Sequence, residues 1–178
     1  TYVEEVRMAV NKKSGIHSIK DLNGKTVATT TGTTSVQTLR KHERAGGVDF
    51  KEVYGKDHAD SFLMLETGRA DAFVMDGSIL AANISKAKAP ADFKIVGEVL
   101  NVEPIACMLR KDDPAFKKAV DDSIKRQIKD GSLAKLYDKW FMQPVPPTNL
   151  AIGLPLSAAT KDAWANPNDK PMEDYAKK

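Results

Sequence analysis

Apolar and polar residues alternate with two different periods along the first hundred positions. Short apolar stretches typical of strands lie at 2–11, near 25–30, near 49–54, at 70–76 and at 92–100. Between them lie three segments with helical spacing: one from Thr34 or Ser35 to Gly46-Gly47, one over 58–68 and one over 78–89. Strand and helix therefore alternate, which predicts an α/β fold with a mostly parallel, doubly wound sheet.

Two of the predicted helices have apolar faces that can be read from the pattern. In the helix over 58–68 we expect Phe62, Leu63 and Leu65 to be buried. Asp113-Pro114 predicts the start of a long helix, because Asp is a favoured N-cap and Pro fits the first helical position. The apolar residues of this long helix recur every four positions and form one face: Phe116, Val120, Ile124 and Ile128.

The rest of the chain beyond residue 100 is less regular. The segment 104–113 is predicted to form a strand, and 133–141 to form a further helix. We expect Trp140 and Phe141, at the end of that helix, to fill a core. From Pro144 onward, clustered prolines predict an irregular tail.

Composition excludes several classes of function. The net charge is +3, which is too small to indicate nucleic acid or an anionic membrane as a partner. No apolar run approaches the ~18 residues of a membrane span. Cys107 is the single cysteine, so no intrachain disulfide can form. It and the three histidines lack metal-ligand spacing, so neither a metal nor another cofactor is expected.

Polar residues follow three of the predicted strands, at 30–35, 55–60 and 75–78. In an open α/β sheet, ligands bind outside the carboxyl ends of the strands. The first junction combines hydroxyl groups with a helix N-terminus, which favours an anion such as a carboxylate. The third places a carboxylate where an ammonium could bind. One molecule with both groups is an amino acid, and the candidate residues are Thr31, Thr33, Thr34 and Ser35 at the first junction, His58 at the second and Asp76 at the third.

Each of these residues also has a simpler interpretation. Hydroxyl runs before helices are usually caps, His58 alone is more often a surface or capping residue, and Asp76 could cap the helix that begins near Ser78. Only their convergence on one sheet edge favours a site. Sequence motifs for enzymes are absent, and no third group is evident that would orient His58 for catalysis with Ser61. No catalytic residue is therefore predicted.

Four segments together resemble a known family: "DLNGKTVATTTGTTS", "KDHADSFLMLETGRADAFVMDGSILA", "CMLRKDDPAFKKAVDDSI" and "DKWFMQPVPPTNL". They are similar to the periplasmic glutamate/aspartate-binding proteins of bacterial ABC transporters, which are two-lobed solute-binding proteins. The resemblance runs from about Val3 to near Lys170. It implies a type II periplasmic-binding-protein fold and a function in binding without bond chemistry.

The resemblance also implies roles, partners and a location. Thr34 would meet the ligand α-carboxylate, with Thr31 and Thr33 shaping the loop. Asp76 would pair with the α-ammonium, and His58 would face the side-chain carboxylate. The expected partners are glutamate or aspartate and the membrane permease of an ABC importer, and the expected location is the periplasm. The preference between glutamate and aspartate stays open.

Relatives carry a first-lobe segment that this sequence lacks, so a truncated form is expected. The predicted parts are 1–16 (first-lobe strand and hinge), 17–100 (second lobe), 101–143 (return hinge and remaining first-lobe elements) and 144–178 (irregular tail). Cys107 would lie in a first-lobe strand, where a cysteine of the missing segment could be its partner. An incomplete lobe exposes apolar surface and strand edges, so self-association is also expected.

Two other functions on this fold remain open at this point. One is an enzyme such as a cyclohexadienyl-type dehydratase, which needs a general acid or base aimed at a substrate carbon. Only His58 and Asp76 could serve that purpose. The other is a sensor ectodomain. This sequence contains no membrane segment that would support it.

Overall fold

The structure, a computed structural model, describes residues 1–175. The chain divides into two compact units. One unit is Glu5–Asn101, and the other combines Thr1–Glu4 with the chain from Val102 onward. Strands β1 (Tyr2–Asn11) and β5 (Phe93–Ile105) each continue from one unit into the other.

The predicted alternation of strands and helices between β1 and β5 is confirmed. The elements are a 3-10 turn (Ile19–Leu22), β2 (Thr26–Thr30), α1 (Thr34–Gly46), β3 (Lys51–Gly55), α2 (His58–Glu66), β4 (Ala72–Asp76), α3 (Gly77–Lys86) and a second 3-10 turn (Pro90–Asp92). Helix α1 ends at Gly47, whose φ of 60° is a left-handed conformation that suits glycine. Local signals therefore determine both the type and the order of these elements.

The five strands form one sheet in the order β3-β2-β4-β1-β5. Strand β2 pairs in parallel with β3 and with β4, whereas β1 pairs with β4 in the antiparallel sense. The mostly parallel sheet expected from the sequence is therefore confirmed. Because β2, β3 and β4 run in the same direction, their carboxyl ends lie at one edge of the sheet.

Both faces of this sheet are covered by apolar side chains. Along β4, Ala72 and Val74 belong to one core cluster, and Phe73 and Met75 belong to the other. The first cluster includes Val27, Leu39 and Phe50, and the second includes Ala28, Phe62, Leu65 and Leu80. A strand buried on both faces needs apolar residues at every position, which explains the continuous apolar run of β4.

One of the predictions for the buried residues of α2 is wrong. Leu63 is 49% exposed, whereas Phe62 and Leu65 are buried as expected and Met64 is buried as well. The buried face of α2 includes residues 61, 62 and 65, which are one and four positions apart on the helix. At about 100° per residue, the side chain at 63 points away from that face.

The unit that begins again at Val102 is mainly helical. It contains α4 (Pro114–Lys129), α5 (Ser132–Tyr137), a π-helical turn (Asp138–Met142), α6 (Ala158–Ala165) and α7 (Met172–Tyr175). The predicted start of α4 is confirmed, since the Asp113 side chain accepts a hydrogen bond from the Phe116 amide at 2.9 Å. Among residues 1–175, no helix combines the length and apolar character needed to cross a bilayer.

The strand predicted over 104–113 is wrong. Strand β5 ends at Ile105, and residues 106–110 have no regular structure. Met108 is 99% exposed, and Cys107 is exposed outside any strand. In the described structure the apolar side chains of this segment have no core to enter, so an apolar run alone does not make it a strand.

Two further expectations for this unit need correction. Trp140 is 50% exposed and does not fill a core, whereas the Phe141 ring stacks on Tyr137 with 4.3 Å between ring centroids. The segment after residue 143 is not irregular throughout, because it contains α6. The Thr160 hydroxyl of α6 accepts a hydrogen bond from the Val3 amide at 3.0 Å and donates one to the Val3 carbonyl at 3.1 Å.

Candidate functional site

The candidate site lies where β2, β3 and β4 end. Residues Thr30 and Gly55, the last residues of β2 and β3, are direct partners in the parallel register. Strand β4 pairs with β2 on its other side and ends at Asp76. The three junctions selected from the sequence therefore follow adjacent strands at one edge of the sheet.

The loop from Thr31 to Thr34 joins β2 to α1. The Thr31 amide donates to the Gly55 carbonyl at 3.0 Å, which ties this loop to the end of β3. Gly32 has a φ of +76°, a conformation that side chains with a Cβ rarely adopt. Thr34 is exposed and is the first residue of α1. The loop is therefore a defined turn held against the neighbouring strand.

Thr33 occupies the N-cap position of α1 without capping the helix through its side chain. Its hydroxyl donates instead to the Thr30 carbonyl at 2.8 Å. The simple interpretation of the threonine run as a cap is therefore wrong for Thr33. The neighbouring Ser35 hydroxyl is buried and has no hydrogen-bond partner in the described part of the chain. An uncapped helix start of this kind attracts anions, because its free N–H groups carry partial positive charge.

His58 is the first residue of α2 and is half-buried. Its Nδ1 atom lies 3.0 Å from the hydroxyl oxygen of Thr30. That hydroxyl lies in turn 2.9 Å from the hydroxyl of Ser61, one turn further along α2. The expectation that no further group orients His58 is therefore wrong, because Thr30 contacts the ring directly.

Asp57 holds the start of α2 in place. Its side chain accepts a hydrogen bond from the Asp60 amide at 2.8 Å, which makes it the N-cap of the helix. The Asp60 side chain accepts a bond from the Lys56 amide at 3.0 Å. His58 therefore begins a helix in which one backbone donor of the first turn, the Asp60 amide, is satisfied by a neighbouring carboxylate.

Asp76 ends β4 and directly precedes α3, with its side chain half-buried. It stands at the N-cap position, but it makes no side-chain capping bond to the helix. The simpler interpretation of Asp76 as a cap is therefore wrong. Its carboxylate lies at the same sheet edge as the threonine loop and His58.

Thr30 and Ser61, which are 4% and 0% exposed, were not selected as site residues from the sequence, although Ser61 was considered beside His58. Ser61 also donates toward the carbonyl oxygens of Thr29 and Asp57, at 3.1 and 3.0 Å. The signal that could have identified it is its spacing, because residues 58 and 61 lie three apart and therefore on one face of a helix. No cluster of three or more His, Cys, Asp or Glu residues suited to a metal occurs within residues 1–175.

Comparisons with known proteins identify the family to which the chain belongs. The family model of the bacterial extracellular solute-binding proteins, family 3, matches residues 2–143. A glutamate/aspartate import solute-binding protein of Salmonella typhimurium is 42% identical over 171 residues, covering 96% of this chain and 57% of that protein. An L-glutamate/L-aspartate-binding protein of Pseudomonas aeruginosa is 42% identical over 167 residues, covering 94% and 55%.

Solved structures share the fold. The ligand-binding core of GluR0 from Nostoc punctiforme, solved in complex with L-glutamate, superposes with a TM-score of 0.63 at 31% sequence identity. The match covers 79% of this chain and 62% of that one. The chain thus spans little more than half the length of the curated relatives that it matches, at 57% and 55%.

Strand β3 and helix α2 approach each other closely at Gly55 and Ser61. A Cβ atom added to Gly55 would lie 2.2 Å from Oγ of Ser61 and 2.5 Å from its amide nitrogen. Because the backbone cannot easily move away, we expect Gly55→Ala to lower the free energy of unfolding by about 1–3 kcal/mol. Urea unfolding followed by circular dichroism measures this.

Gly46→Ala is the matched control for this substitution. Its nearest neighbour would be Cγ2 of Val48 at 3.5 Å, an ordinary contact, and it lies in the last turn of α1. Alanine there should leave stability unchanged or raise it by up to about 1 kcal/mol. Equal losses for the two variants would show that the contact between Gly55 and Ser61 is not tight.

Proposed function

Because the chain belongs to the bacterial extracellular solute-binding proteins, family 3, we propose that it is part of a protein that captures an acidic amino acid. The ligand is L-glutamate or L-aspartate, and the protein passes it to the membrane permease of an ABC importer. The observation that carries this proposal is the His58 imidazole, held by Thr30 at the sheet edge that also bears the threonine loop and Asp76. The two most similar relatives described above, at 42% identity, are named for these same two ligands.

Each part of an acidic amino acid has a matching group at this edge. Thr34 at the uncapped start of α1, with Thr31 and Thr33 in the preceding loop, would receive the α-carboxylate. Asp76 would pair with the α-ammonium. His58 would donate a hydrogen bond to the side-chain carboxylate, which is the group that separates acidic amino acids from neutral ones.

Binding alone accounts for these residues, and nothing in the geometry favours the dehydratase that remained open from the sequence. A general acid or base must reach a substrate carbon, and the contact of Thr30 with Nδ1 of His58 does not by itself favour that role over ligand binding. The relatives are named as binding proteins. We therefore propose a binding cycle, in which two lobes close over the ligand and the closed form docks on the permease in the periplasm.

Asp76→Asn tests the ammonium partner. The substitution keeps the shape of the side chain and removes its charge, so affinity for L-glutamate should fall by about 2–5 kcal/mol if the pair is desolvated. Isothermal titration calorimetry on the whole protein that contains this chain measures the loss. Asp49→Asn is the control, because Asp49 is exposed ahead of β3, away from the carboxyl ends of the strands, and should bind as the unsubstituted protein does. Unchanged affinity in Asp76→Asn would reject the role.

His58→Ala tests the site for the side-chain carboxylate. The variant should weaken L-glutamate and L-aspartate binding at least about tenfold more than L-glutamine binding, a difference of about 1.4 kcal/mol. His17→Ala serves as the control, since His17 is exposed in the segment before β2. Equal losses for acidic and neutral ligands would mean that His58 has only a structural role.

A polypeptide restricted to these 178 residues should behave differently from the whole protein. Several large apolar side chains of its second unit are exposed: Met108, Phe116, Leu136 and Trp140. We expect such a polypeptide to self-associate with increasing concentration and to bind L-glutamate more weakly than about 1 µM, which corresponds to −8.2 kcal/mol. Analytical ultracentrifugation and calorimetry measure the two properties, and a monodisperse monomer with submicromolar affinity would contradict both expectations.

A further inference from the structure

The buried hydroxyl of Ser61 has only one proton to donate. Its oxygen lies 3.1 Å from the Thr29 carbonyl and 3.0 Å from the Asp57 carbonyl, and both carbonyls can only accept. If the proton pointed elsewhere, the Ser61 oxygen would face two carbonyl lone pairs at hydrogen-bond distance in a fully buried position. The proton therefore lies on the carbonyl side, and Ser61 can interact with Thr30 only as an acceptor.

Thr30 must then donate its own proton to Ser61, across the 2.9 Å that separate the two hydroxyl oxygens. A hydroxyl that has used its proton has only lone pairs left. The His58 Nδ1 atom, 3.0 Å from the Thr30 oxygen, therefore needs a proton of its own to form a hydrogen bond. The direction of each hydrogen bond from His58 through Thr30 to Ser61 therefore follows from the two carbonyls that Ser61 contacts.

A neutral imidazole carries one proton, so placing it on Nδ1 leaves Nε2 with a lone pair. Nε2 has no hydrogen-bond partner among the described residues. A lone pair accepts from an amide or ammonium group but repels a carboxylate. Only the imidazolium, which is protonated on both nitrogens, can donate from Nε2 to an anion.

We propose that Thr30 and Ser61 are positioning residues that hold the neutral form of His58 as the Nδ1–H tautomer, so that an acidic ligand binds at Nε2 only when His58 takes up a proton. This inference rests on the proposed function, in which His58 meets the ligand side chain. A simple contact between His58 and the ligand would not require proton uptake, whereas the Nδ1–H tautomer does. Capture of an acidic amino acid is coupled to proton uptake, and capture of an amide ligand is not.

Other titratable and charged groups lie on the elements packed against α2 and around its start. Helix α2 packs against β2, β3, β4 and α3. Besides His58, the titratable or charged residues on these elements and around the start of α2 are Lys51, Glu52, Tyr54, Lys56, Asp57, Asp60, Glu66, Asp76 and Lys86. Among them, Glu52 is already paired with Arg40, and Asp57 and Asp60 accept backbone amides.

The coupling changes ligand preference with pH. Above the pH at which the ligand-free imidazole loses its proton, L-glutamate affinity should fall about tenfold per pH unit, because each binding event must supply the missing proton. L-Glutamine should keep its affinity, since its side-chain amide can donate to a neutral Nε2 and accept from a protonated one. The ratio of the L-glutamate to the L-glutamine dissociation constant should therefore rise with pH.

The tautomer is measured directly on the whole ligand-free protein. Long-range ¹H–¹⁵N NMR spectra at high pH distinguish a protonated Nδ1 from a protonated Nε2, and a His58→Gln spectrum assigns the signals. We expect Nδ1–H for His58 in the unsubstituted protein. An Nε2–H tautomer would overturn the proposal whatever the protein binds, so this result is independent of the proposed function.

Proton uptake is measured by titrating L-glutamate in buffers of different ionisation enthalpy, between about pH 6 and pH 8.5. Uptake should approach one proton per ligand where NMR shows a neutral imidazole, and it should be near zero for L-glutamine. The absence of uptake with L-glutamate would overturn the coupling. His58 signals that do not respond to L-glutamate would instead show that the proposed function is wrong about this contact.

Substitutions of Thr30 separate positioning from mere packing. Thr30→Val removes the acceptor, so the neutral ring can place its proton on Nε2 and donate to a carboxylate without titrating. Proton uptake should then fall below that of the unsubstituted protein, and Thr30→Ser should restore it. Equal proton uptake in all three proteins would contradict the role of Thr30. If Thr30→Val does not fold, the tautomer and the proton uptake of the unsubstituted protein still decide the question.

Discussion

The parallel pairing of β2 with β3 and β4 is the constraint on which the rest of the candidate site depends. It places Thr30 beside Gly55 of β3 on one side and near the end of β4 on the other. Gly55 must be glycine-sized, because Ser61 of the following helix approaches its Cα so closely. This approach brings the Ser61 hydroxyl to Thr30, and Thr30 to His58. One register between strands thus decides where the imidazole lies.

Local sequence signals predict the elements of the sheet well, because strands buried on both faces and helices with defined ends leave strong patterns. They fail where long-range packing decides. Leu63 is as apolar as its buried neighbours, yet it lies on the outer face of α2. The segment around Met108 is a continuous apolar run like that of a strand, but it has no core to enter in the described structure. Trp140 is a large aromatic residue of the kind that usually fills a core, yet its side chain is half exposed.

In the candidate site, too, some features follow from the sequence and others depend on long-range contacts. The positions of Thr31, Thr33, Thr34, His58 and Asp76 at one sheet edge follow from topology, which the sequence predicts. The contacts of Thr30 and Ser61 do not, because they depend on distances of about 3 Å between residues some thirty positions apart. Hydroxyl groups are common at strand ends, so composition cannot show which ones bond to each other. The direction of the hydrogen bonds needs the carbonyls of Thr29 and Asp57 as well.

In the proposed complex, the side-chain carboxylate of the ligand lies on Nε2 of His58, and its ammonium lies on Asp76. A crystal structure of the whole protein with bound L-glutamate tests this most directly. We expect a carboxylate oxygen within about 3.2 Å of Nε2 and the α-carboxylate at the start of α1. A ligand bound in the reverse orientation, or away from this sheet edge, would contradict the central claim.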